Sequence, residues 1–486
     1  MTTTTRRSAL ALTGSSAVAA LTGCHAGPSN ARQLAAARAI AKPTTQDWIS
    51  FAHTVQGPVD LPGSSPYNRA KLVFDTRFDT NKPAAVMVVE RTADIARAMH
   101  FAQRFNLQVA PRGGGHSYVG ASAANGTLVL DLRPLRSIAY DAKTRTVLVA
   151  SGASLYDVKA HLAPYGRGIP TGTCPTVGAA GLTLGGGLGV ESRAHGVTAD
   201  RLTEAQLVLP TGTSVTASAT QHADIFWALR GGGGGNIGVV TAMRFATHPA
   251  TGQGIFTLTF AGSAAVPVMT GWARWISTAT RSRWAGVHVD AIGRGSLHVS
   301  IVGVTTAGDE HAAATSLVHA IGVSPIATNY RRFSYLGAAI YLGGGTTSAR
   351  QPFMAGSDIL ATLGQQAASA IARTVIDRSR AGGAGSALLD PLTGAVGDPK
   401  RTDTAFPWRD HVASLQWYVG GSLYASAHDW ITQAHRQLAP FSSGGYVNYL
   451  ESGQSAQRYY GGNLARLTQL RKQYDPQRRI HSGLSL

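Results

Sequence analysis

Two glycine-rich segments, residues 111–117 (PRGGGHS) and 172–178 (GTCPTVG), constrain this chain most strongly. Each contains one reactive side chain, His116 or Cys174, in backbone that can closely approach a planar, phosphate-bearing cofactor. The only other cysteine, Cys24, lies in an apparent export segment, so Cys174 has no expected disulfide partner in the mature chain. The two segments together predict a flavin that is held by two covalent bonds.

The first 23 residues are typical of an export signal. Arg6 and Arg7 precede an uncharged run over residues 9–23, which is too short for a membrane span. The paired arginines predict a twin-arginine signal peptide, whose route exports folded proteins. Residues 21–24 (LTGC) resemble a bacterial lipobox, which predicts a secreted or cell-surface lipoprotein anchored at Cys24. The alternative is cleavage at a small-residue site without lipidation.

The chain is basic but has no pattern for nucleic-acid binding. Its formal net charge is +18, and loss of residues 1–23, whose only charged side chains are Arg6 and Arg7, leaves +16. The lysines and arginines are scattered and no nucleic-acid motif is present, so we expect no nucleic-acid partner. The length and an apolar fraction of 44% exceed one ordinary core and predict two domains of a soluble enzyme.

The periodicity of the chain predicts its organisation. Residues 24–66 are polar and rich in proline, which predicts a linker or N-terminal arm. A strand over 85–89, a helix over 92–105 and a strand over 107–111 form a unit that ends in the triple glycine before His116. We therefore expect a cofactor domain over 67–250 and a substrate domain over 251–440, where strand-like and helical stretches alternate.

Other glycine-loop and metal sites fit the sequence poorly. The segment 185–189 lacks the strand, helix and acidic residue of a dinucleotide fingerprint, and no Gly-Lys-Ser/Thr follows a glycine cluster. His116 and His195 have no ligand partner at the usual spacing, so we predict no metal site.

Five motifs in order resemble those of the berberine bridge enzyme-like flavoprotein oxidases, within the vanillyl-alcohol-oxidase-type FAD superfamily. They are residues 112–117, 172–178, 228–241, 446–449 and 459–476, and the resemblance covers residues 67–486. It implies an α+β fold: a two-lobed PCMH-type FAD-binding domain and a substrate domain with an antiparallel sheet covered by helices. It also implies that residues 441–486 return to the FAD domain.

The resemblance implies FAD bound through two covalent links. A ring nitrogen of His116 would bond the 8α-methyl group, and the sulfur of Cys174 would bond carbon 6 of the ring system. Both links are expected to raise the reduction potential of the flavin and to fix its ring. The other residues implied to contact the cofactor are Arg112, Gly113, Gly114, Gly115, Ser117, Gly172, Thr173, Val177, Gly178, Gly181, Gly185, Gly186, Gly235, Asn236, Gly238, Val240, Tyr446 and Asn448.

Three further residues are implied to face the substrate. Tyr449 matches a tyrosine on a C-terminal strand that removes the hydroxyl proton, which requires a lowered pKa. Gln416 stands where berberine bridge enzyme has a glutamate, and glutamine cannot act as a base. Tyr118 matches a tyrosine that pairs with a lysine in plant members, but Ser414 replaces that lysine here.

The residue three positions after the flavin cysteine, Val177, resembles that of members whose reduced flavin reacts with oxygen. We therefore expect an FAD-dependent oxidase that oxidises an alcohol of a bulky polyol, such as a sugar, oligosaccharide or glycosylated natural product, and releases hydrogen peroxide. The alternatives are an oxidase of phenolic or alkaloid-like alcohols or amines, and a flavin-carrying surface protein without turnover.

Overall fold

A small, mainly parallel sheet begins the fold. The computed structural model describes residues 42–486, which form one compact unit; the predicted signal peptide and the predicted anchor at Cys24 lie outside these residues. Its strands are β1 (Val59–Asp60), β2 (Ala85–Val88), β3 (Val109–Arg112) and β4 (Leu128–Asp131), in the order β1-β2-β4-β3. Strands β2, β4 and β3 are parallel, and β1 pairs antiparallel with β2. The helices of this part are α1 (Thr45–Ala52), α2 (Ser65–Ala70) and α3 (Ala93–Arg104).

Residues 45–66 are not a linker, contrary to the sequence prediction. The helix α1 begins with a capping box in which Thr44 and Asp47 exchange hydrogen bonds. Phe51 stacks on Phe101 of α3 with ring centroids 4.4 Å apart, and Trp48 packs against the same ring at 4.7 Å. Because α1 and β1 bury their few apolar residues against the first sheet, the compact unit begins near residue 45. Because the segment is mostly polar, its composition did not predict this packing.

An antiparallel five-stranded sheet forms the second lobe, in the order β5-β6-β10-β8-β9. Its strands and the short pair β7 and β11 are β5 (Ile138–Asp141), β6 (Thr146–Ala150), β7 (Arg167–Gly168), β8 (Leu202–Val208), β9 (Ser214–Ser218), β10 (Val239–Ala246) and β11 (His248–Pro249). Its helices are α4 (Leu155–Leu162), α5 (Ala179–Leu184), α6 (Ser192–His195) and α7 (Ala223–Leu229).

A seven-stranded antiparallel sheet follows, in the order β15-β12-β14-β13-β17-β18-β16. The strands are β12 (Gln253–Phe260), β13 (Trp284–Ala291), β14 (Leu297–Thr306), β15 (Ala327–Phe333), β16 (Phe353–Leu360), β17 (Gly385–Pro391) and β18 (Ala413–Gly420). The accompanying helices are α8 (Ala265–Thr278), α9 (Glu310–Ile321), α10 (Tyr335–Gly343), α11 (Gln365–Arg380) and α12 (Ala427–Leu438). Helices α8, α9, α11 and α12 share one large apolar core with one face of this sheet. Since side chains alternate along a strand, every second residue faces away from these helices.

The last segment packs against the second lobe. It contains α13 (Ala456–Tyr460) and α14 (Leu464–Tyr474). Tyr459, Tyr460 and Leu467 are buried in the same core as Phe226 and Trp227 of α7. None of the helices within residues 42–486 is long and apolar enough to cross a membrane.

Replacing Phe51 with alanine tests whether α1 belongs to the folded unit. Because Phe51 is buried and stacked, Phe51→Ala should lower the free energy of unfolding by about 3 kcal/mol. Ile49 on the same helix is exposed, so Ile49→Ala should change it by less than about 0.5 kcal/mol. Denaturant unfolding measures both values, and equal effects of the two substitutions would contradict the assignment.

Candidate functional site

The two glycine-rich segments are in direct backbone contact. A Cβ on Gly114 would lie 2.2 Å from the backbone nitrogen of Gly178, and a Cβ on Gly178 would lie 2.4 Å from that of Gly114. One segment follows β3 directly and the other leads into α5. Because only glycine permits this approach, the fold requires glycine at both positions. The contact places His116 and Cys174 in neighbouring loops.

His116 is a neutral imidazole whose ring position is fixed. It stacks on Phe74 with ring centroids 4.1 Å apart, and its Nε2 lies 3.0 Å from the Thr176 hydroxyl. Burial lowers the pKa of His116 to about 4, despite the opposing bond from Thr176. Its Nδ1 makes no hydrogen bond to any residue of the described part. No group of the described residues therefore blocks this nitrogen from forming a covalent bond.

Cys174 is a free thiol within reach of solvent. Enough protein nevertheless surrounds the sulfur for burial to raise the pKa of the thiol. A negative charge on Cys174 would raise the pKa values of Tyr118, Tyr418 and Tyr449, so the thiol lies near all three phenols. The loop that carries Cys174 is thus next to the predicted substrate-facing residues.

The structure brings the three predicted substrate-facing residues together. Tyr118 and Tyr449 stack with ring centroids 5.3 Å apart at an angle of 18°. The Gln416 amide donates a hydrogen bond of 2.9 Å to the Tyr118 hydroxyl. Tyr449 lies in a single 3₁₀ turn, Val447–Tyr449, and not on the C-terminal strand that the resemblance suggested. The group therefore joins the first lobe, strand β18 and the C-terminal segment.

Neither tyrosine has the lowered pKa that a tyrosine base needs. Burial raises the pKa of Tyr449 well above its usual value, and the neighbouring Tyr118 and Asp390 raise it further. Burial likewise raises the pKa of Tyr118, and a negative charge on Cys174 would raise it further. Ser414 is buried and its hydroxyl has no partner in residues 42–486, so it does not replace the missing lysine. Both phenols are therefore neutral in the folded protein.

Sequence reasoning missed Asp390, an ionisable group beside Tyr449. It lies on β17 opposite Ser414 of β18, so it shares the sheet face of Ser414 and Gln416. Its carboxylate charge raises the pKa of both Tyr449 and Tyr446. Burial raises the pKa of Asp390 itself to about 6, and its carboxylate has no hydrogen bond or ion pair among the described residues. An acidic residue after the apolar run 387–389 was the only signal in the sequence.

Tyr446 and Asn448 attach the C-terminal segment to the glycine-rich loop after α5. The Tyr446 hydroxyl accepts hydrogen bonds from the backbone nitrogens of Gly187 and Leu188 and from the Asn448 amide. The bonds from Gly187 and Asn448 measure 2.9 and 2.8 Å. A Cβ on Gly185 would lie 2.0 Å from the Asn448 side-chain oxygen. The glycines of this loop therefore allow the C-terminal segment to approach it.

The third predicted segment is held mainly by protein contacts. The Asn236 amide donates to the Gly232 carbonyl at 2.6 Å, and its oxygen accepts from Arg471 at 2.9 Å. A Cβ on Gly235 would lie 2.3 Å from the His481 carbonyl, and one on Gly238 2.7 Å from the Val208 carbonyl. Side-chain atoms of Asn236 therefore shape the loop that leads into β10, where Val240 lies.

The unpaired nitrogens of Arg112 and the open space at two glycines, one in the Cys174 loop and one in α5, fit a phosphate-bearing cofactor. The Arg112 guanidinium is fully buried and bonds Asp131 at 2.9 Å and the Ala70 carbonyl at 2.6 Å. Its Nε and Nη1 have no partner within the described chain. A Cβ on Gly181 would have no atom within 4 Å, and one on Gly172 would have none closer than 3.4 Å. The remaining residues predicted to contact the cofactor lie in the two glycine-rich segments or in the loop after α5. They are Gly113, Gly115, Ser117, Thr173, Val177 and Gly186.

A histidine-carboxylate group lies behind the Cys174 loop. Glu191, His195 and His248 have potential ligand atoms within 4.8 Å of one another. However, the two imidazole rings stack at 3.8 Å, and Glu191 accepts a hydrogen bond from Tyr335 and pairs with Lys159. Lys159 therefore already neutralises the carboxylate, and we assign the group a role in packing the loop.

Comparison with known proteins gives two family matches. The family described as FAD binding domain matches residues 83–218, and the family described as berberine and berberine like matches residues 445–479. These ranges contain His116, Cys174 and Tyr449. The first range ends within the second lobe, and the second range covers the C-terminal segment.

Relatives with known structures share the fold. The carbohydrate oxidase of Microdochium nivale is 27% identical over 87% of this chain and 91% of its own. Its structure with a substrate analogue aligns with a TM-score of 0.82 at 26% identity, over 90% of this chain and 98% of that chain. Physcomitrella patens BBE-like 1 aligns with a TM-score of 0.83 at 23% identity over the same shares. Glucooligosaccharide oxidase of Acremonium strictum, described with a 6-S-cysteinyl, 8α-N1-histidyl FAD, aligns at 0.82 and 24% over the same shares.

The predicted α+β fold and the FAD cofactor are thereby confirmed. Both family matches occur in the order that the sequence motifs predicted, and the fold is shared over nine-tenths of the chain. The two family matches and the shared fold make the chain similar to the berberine bridge enzyme-like FAD-linked oxidoreductases.

Proposed function

We propose that this enzyme oxidises an alcohol group of a sugar or oligosaccharide with FAD bound covalently to His116 and Cys174, and that oxygen is reduced to hydrogen peroxide. The observation that supports this most is the meeting of four groups: the two reactive side chains, the stacked Tyr118 and Tyr449, the Gln416 amide and the unpaired Asp390 carboxylate. Bound FAD would supply the hydride acceptor.

Two features of the chain support covalent attachment at both residues. The Thr176 hydroxyl occupies Nε2 of His116 and leaves Nδ1 without a protein partner in the described residues. Cys174 is a free thiol in the neighbouring loop. The Acremonium strictum relative, whose FAD is described as 6-S-cysteinyl and 8α-N1-histidyl, has the same fold.

Single and double substitutions count the covalent bonds. His116→Ala or Cys174→Ala alone should leave the flavin on the denatured protein through the other link, whereas the double substitution should release it. Flavin absorbance of the acid-precipitated protein measures the attached fraction. Asp429→Asn, at a fully exposed position of α12, serves as the control. Complete release by one single substitution would show that only one bond exists.

Oxidation of an alcohol also requires that its hydroxyl proton moves to a group of the protein. Asp390 lies on this side of the sheet and is mostly ionised at neutral pH, because its pKa is about 6. Tyr449 is a neutral phenol and therefore a hydrogen-bond donor and acceptor. We infer a relay in which Tyr449 binds the substrate hydroxyl as a neutral phenol and the proton finally reaches Asp390, whose charge acts on Tyr449. This relay needs no tyrosinate, so it agrees with the raised pKa of Tyr449.

The pH dependence of turnover tests the role of Asp390. Because only the carboxylate can receive a proton, kcat should fall as the pH decreases through about 6. Asp390→Asn should lower kcat on the order of a hundredfold and remove this acidic limb. Tyr449→Phe should lower kcat similarly while the bound flavin keeps its absorbance.

Asp429 provides the control because it is fully exposed on α12; Asp429→Asn should leave kcat and its pH profile unchanged. Steady-state peroxide release with glucose, cellobiose and chitobiose is the measurement. An acidic limb that persists in Asp390→Asn would remove Asp390 from the mechanism.

A row of side chains across the seven-stranded antiparallel sheet favours an extended substrate. Five residues lie directly opposite one another on five adjacent strands: Thr259, Ser300, His288, Leu388 and Gln416. They alternate with residues of the helix-covered core, so the row is on the other face. Five strands span about 19 Å, which is the length of several sugar rings. The Microdochium nivale relative, a carbohydrate oxidase, supports this substrate class.

Val177 supports oxygen as the electron acceptor. Its backbone nitrogen donates to the Cys174 carbonyl at 3.4 Å, and its side chain is only partly buried beside the second-lobe core. A larger side chain there would narrow the space beside the Cys174 loop. We infer that valine leaves room for oxygen next to the flavin.

Mixing substrate-reduced protein with air tests this inference. The oxidised flavin spectrum should return within seconds, and Val177→Leu should slow the return at least on the order of tenfold. Val215→Leu, a similar change at a partly buried position of β9, should not alter the rate. Stopped-flow absorbance follows the recovery, and a return over many minutes in the native protein would contradict an oxidase.

We also propose export of the folded, FAD-loaded protein by the twin-arginine route, with a lipid anchor at Cys24. The paired arginines and the lipobox-like residues 21–24 support this proposal.

A further inference from the structure

One partly buried histidine lies between two carboxylates, outside the group that faces the substrate. His435 of α12 has its Nδ1 2.7 Å from an oxygen of Asp358 and its Nε2 2.8 Å from an oxygen of Glu451. Ionised carboxylates accept hydrogen bonds but do not donate them. Both ring nitrogens must therefore carry protons, and the ring is an imidazolium cation.

The surroundings of His435 stabilise this charge. Burial alone would lower the pKa of His435, but the bonds and charges of Asp358 and Glu451 outweigh it and raise the pKa to about 9. Asp358 also accepts bonds from Trp417 of β18, from Ser442 and from Arg458 of α13. Despite its burial, these partners lower the pKa of Asp358 to about 2.

Arg458 is the other cation that faces His435. Its Nη2 lies 3.0 Å from Nδ1 of the ring and 2.9 Å from Asp358, and it also donates to the Ser357 carbonyl. Because Nδ1 already donates to Asp358, the Arg458 contact is repulsive for the imidazolium, and Asp358 offsets it. Two carboxylates and two cations therefore give a network without net charge.

Glu451 connects this network to the turn that carries Tyr449, two residues earlier. Its other oxygen accepts from the Ser357 backbone nitrogen at 3.3 Å, and its own nitrogen donates to the Tyr459 hydroxyl at 2.9 Å. A Cβ on Gly356 would lie 2.3 Å from the carboxylate, so the carboxylate rests against the backbone of β16.

The start of the same turn has a separate anchor. The Tyr446 nitrogen donates to the Ser357 hydroxyl at 2.8 Å, and the Tyr446 hydroxyl holds the loop after α5. These groups keep their protons throughout the neutral and moderately alkaline range. Only the anchor at Glu451 depends on a group that titrates near pH 9.

We propose that the His435 imidazolium is a positioning residue, which holds Tyr449 against the substrate through Glu451 and releases it when the ring loses a proton. This proposal rests on the proposed role of Tyr449. The neutral ring presents one lone pair to one of the two carboxylates, so one of its two hydrogen bonds is lost. The anchor is thus a charge-assisted bond below the pKa of His435, and it weakens as the pH rises through that pKa because the ring no longer carries a positive charge opposite Glu451.

Hydrogen exchange of the Tyr449 turn tests the anchor without any substrate. In the FAD-loaded protein at pH 7, His435→Gln should increase exchange of the peptide over residues 446–452 on the order of tenfold. A glutamine amide donates from one nitrogen only and cannot serve both carboxylates. In the native protein, exchange corrected for the intrinsic rate should rise above pH 9. His428→Gln, an exposed position on the same helix, is the matched control and should change nothing.

Turnover adds a readout that a merely stabilising role would not move. The kcat of the native protein should fall as the pH rises through about 9, with KM changing less than about twofold. In His435→Gln, kcat should be on the order of tenfold lower at pH 7 and should lack this alkaline limb. His435→Lys keeps a cation and should move the limb upward.

The two arms separate failure of this proposal from failure of the proposed function. Unchanged exchange in His435→Gln, or an alkaline limb that persists in it, would overturn the positioning role. Faster exchange in His435→Gln together with full turnover by Tyr449→Phe would leave the anchor standing and remove Tyr449 from the mechanism.

Discussion

The close approach of Gly114 and Gly178 is the constraint on which the site depends. With a Cβ only 2.2 Å from a backbone nitrogen, no other residue could occupy position 114 without separating the two loops. The separation would move His116 away from Thr176, and the ring would lose the contact that fixes its orientation. A cofactor bonded at two atoms tolerates little change in the distance between its attachment points. The glycines therefore determine the spacing of the reactive side chains, and the side chains supply the chemistry.

The seven-stranded antiparallel sheet is also held to the second lobe, and buried arginines make many of the hydrogen bonds that hold it. Arg193 of α6 donates to the carbonyls of Ile276, Ala279 and Thr280 at the end of α8, at 2.8, 2.9 and 2.9 Å. The partial negative charge of a helix C-terminus stabilises such a cation. Arg409, before β18, pairs with Asp200 of the second lobe through two bonds of 2.8 Å. Because directional bonds fix orientation as well as distance, these arginines align the sheet face that carries Gln416 and Asp390.

The parts of the site that sequence reasoning found are local, and the parts it missed depend on pairing between distant strands. His116, Cys174 and their glycines form short motifs, and the structure brings them together as predicted. Asp390 shares a sheet face with Gln416 only through the register of β17 against β18, which no local pattern specifies. The His435 network joins residues 77 and 16 positions apart. The error over residues 45–66 has a similar origin, because Trp48 and Phe51 are few in a polar segment but pack on a distant helix.

The protonation states of Tyr449 and Asp390 follow from one arrangement. An unpaired carboxylate beside a buried phenol raises the energy of the tyrosinate and so raises the pKa of Tyr449. The same carboxylate is ionised at neutral pH and can take up a proton that the substrate hydroxyl gives up. A raised tyrosine pKa is therefore evidence against a free tyrosinate but not against Tyr449 as a proton carrier. In the proposed mechanism Tyr449 has to stay aligned with the substrate, so the ionic anchor of its turn at Glu451 would affect catalysis as well as folding.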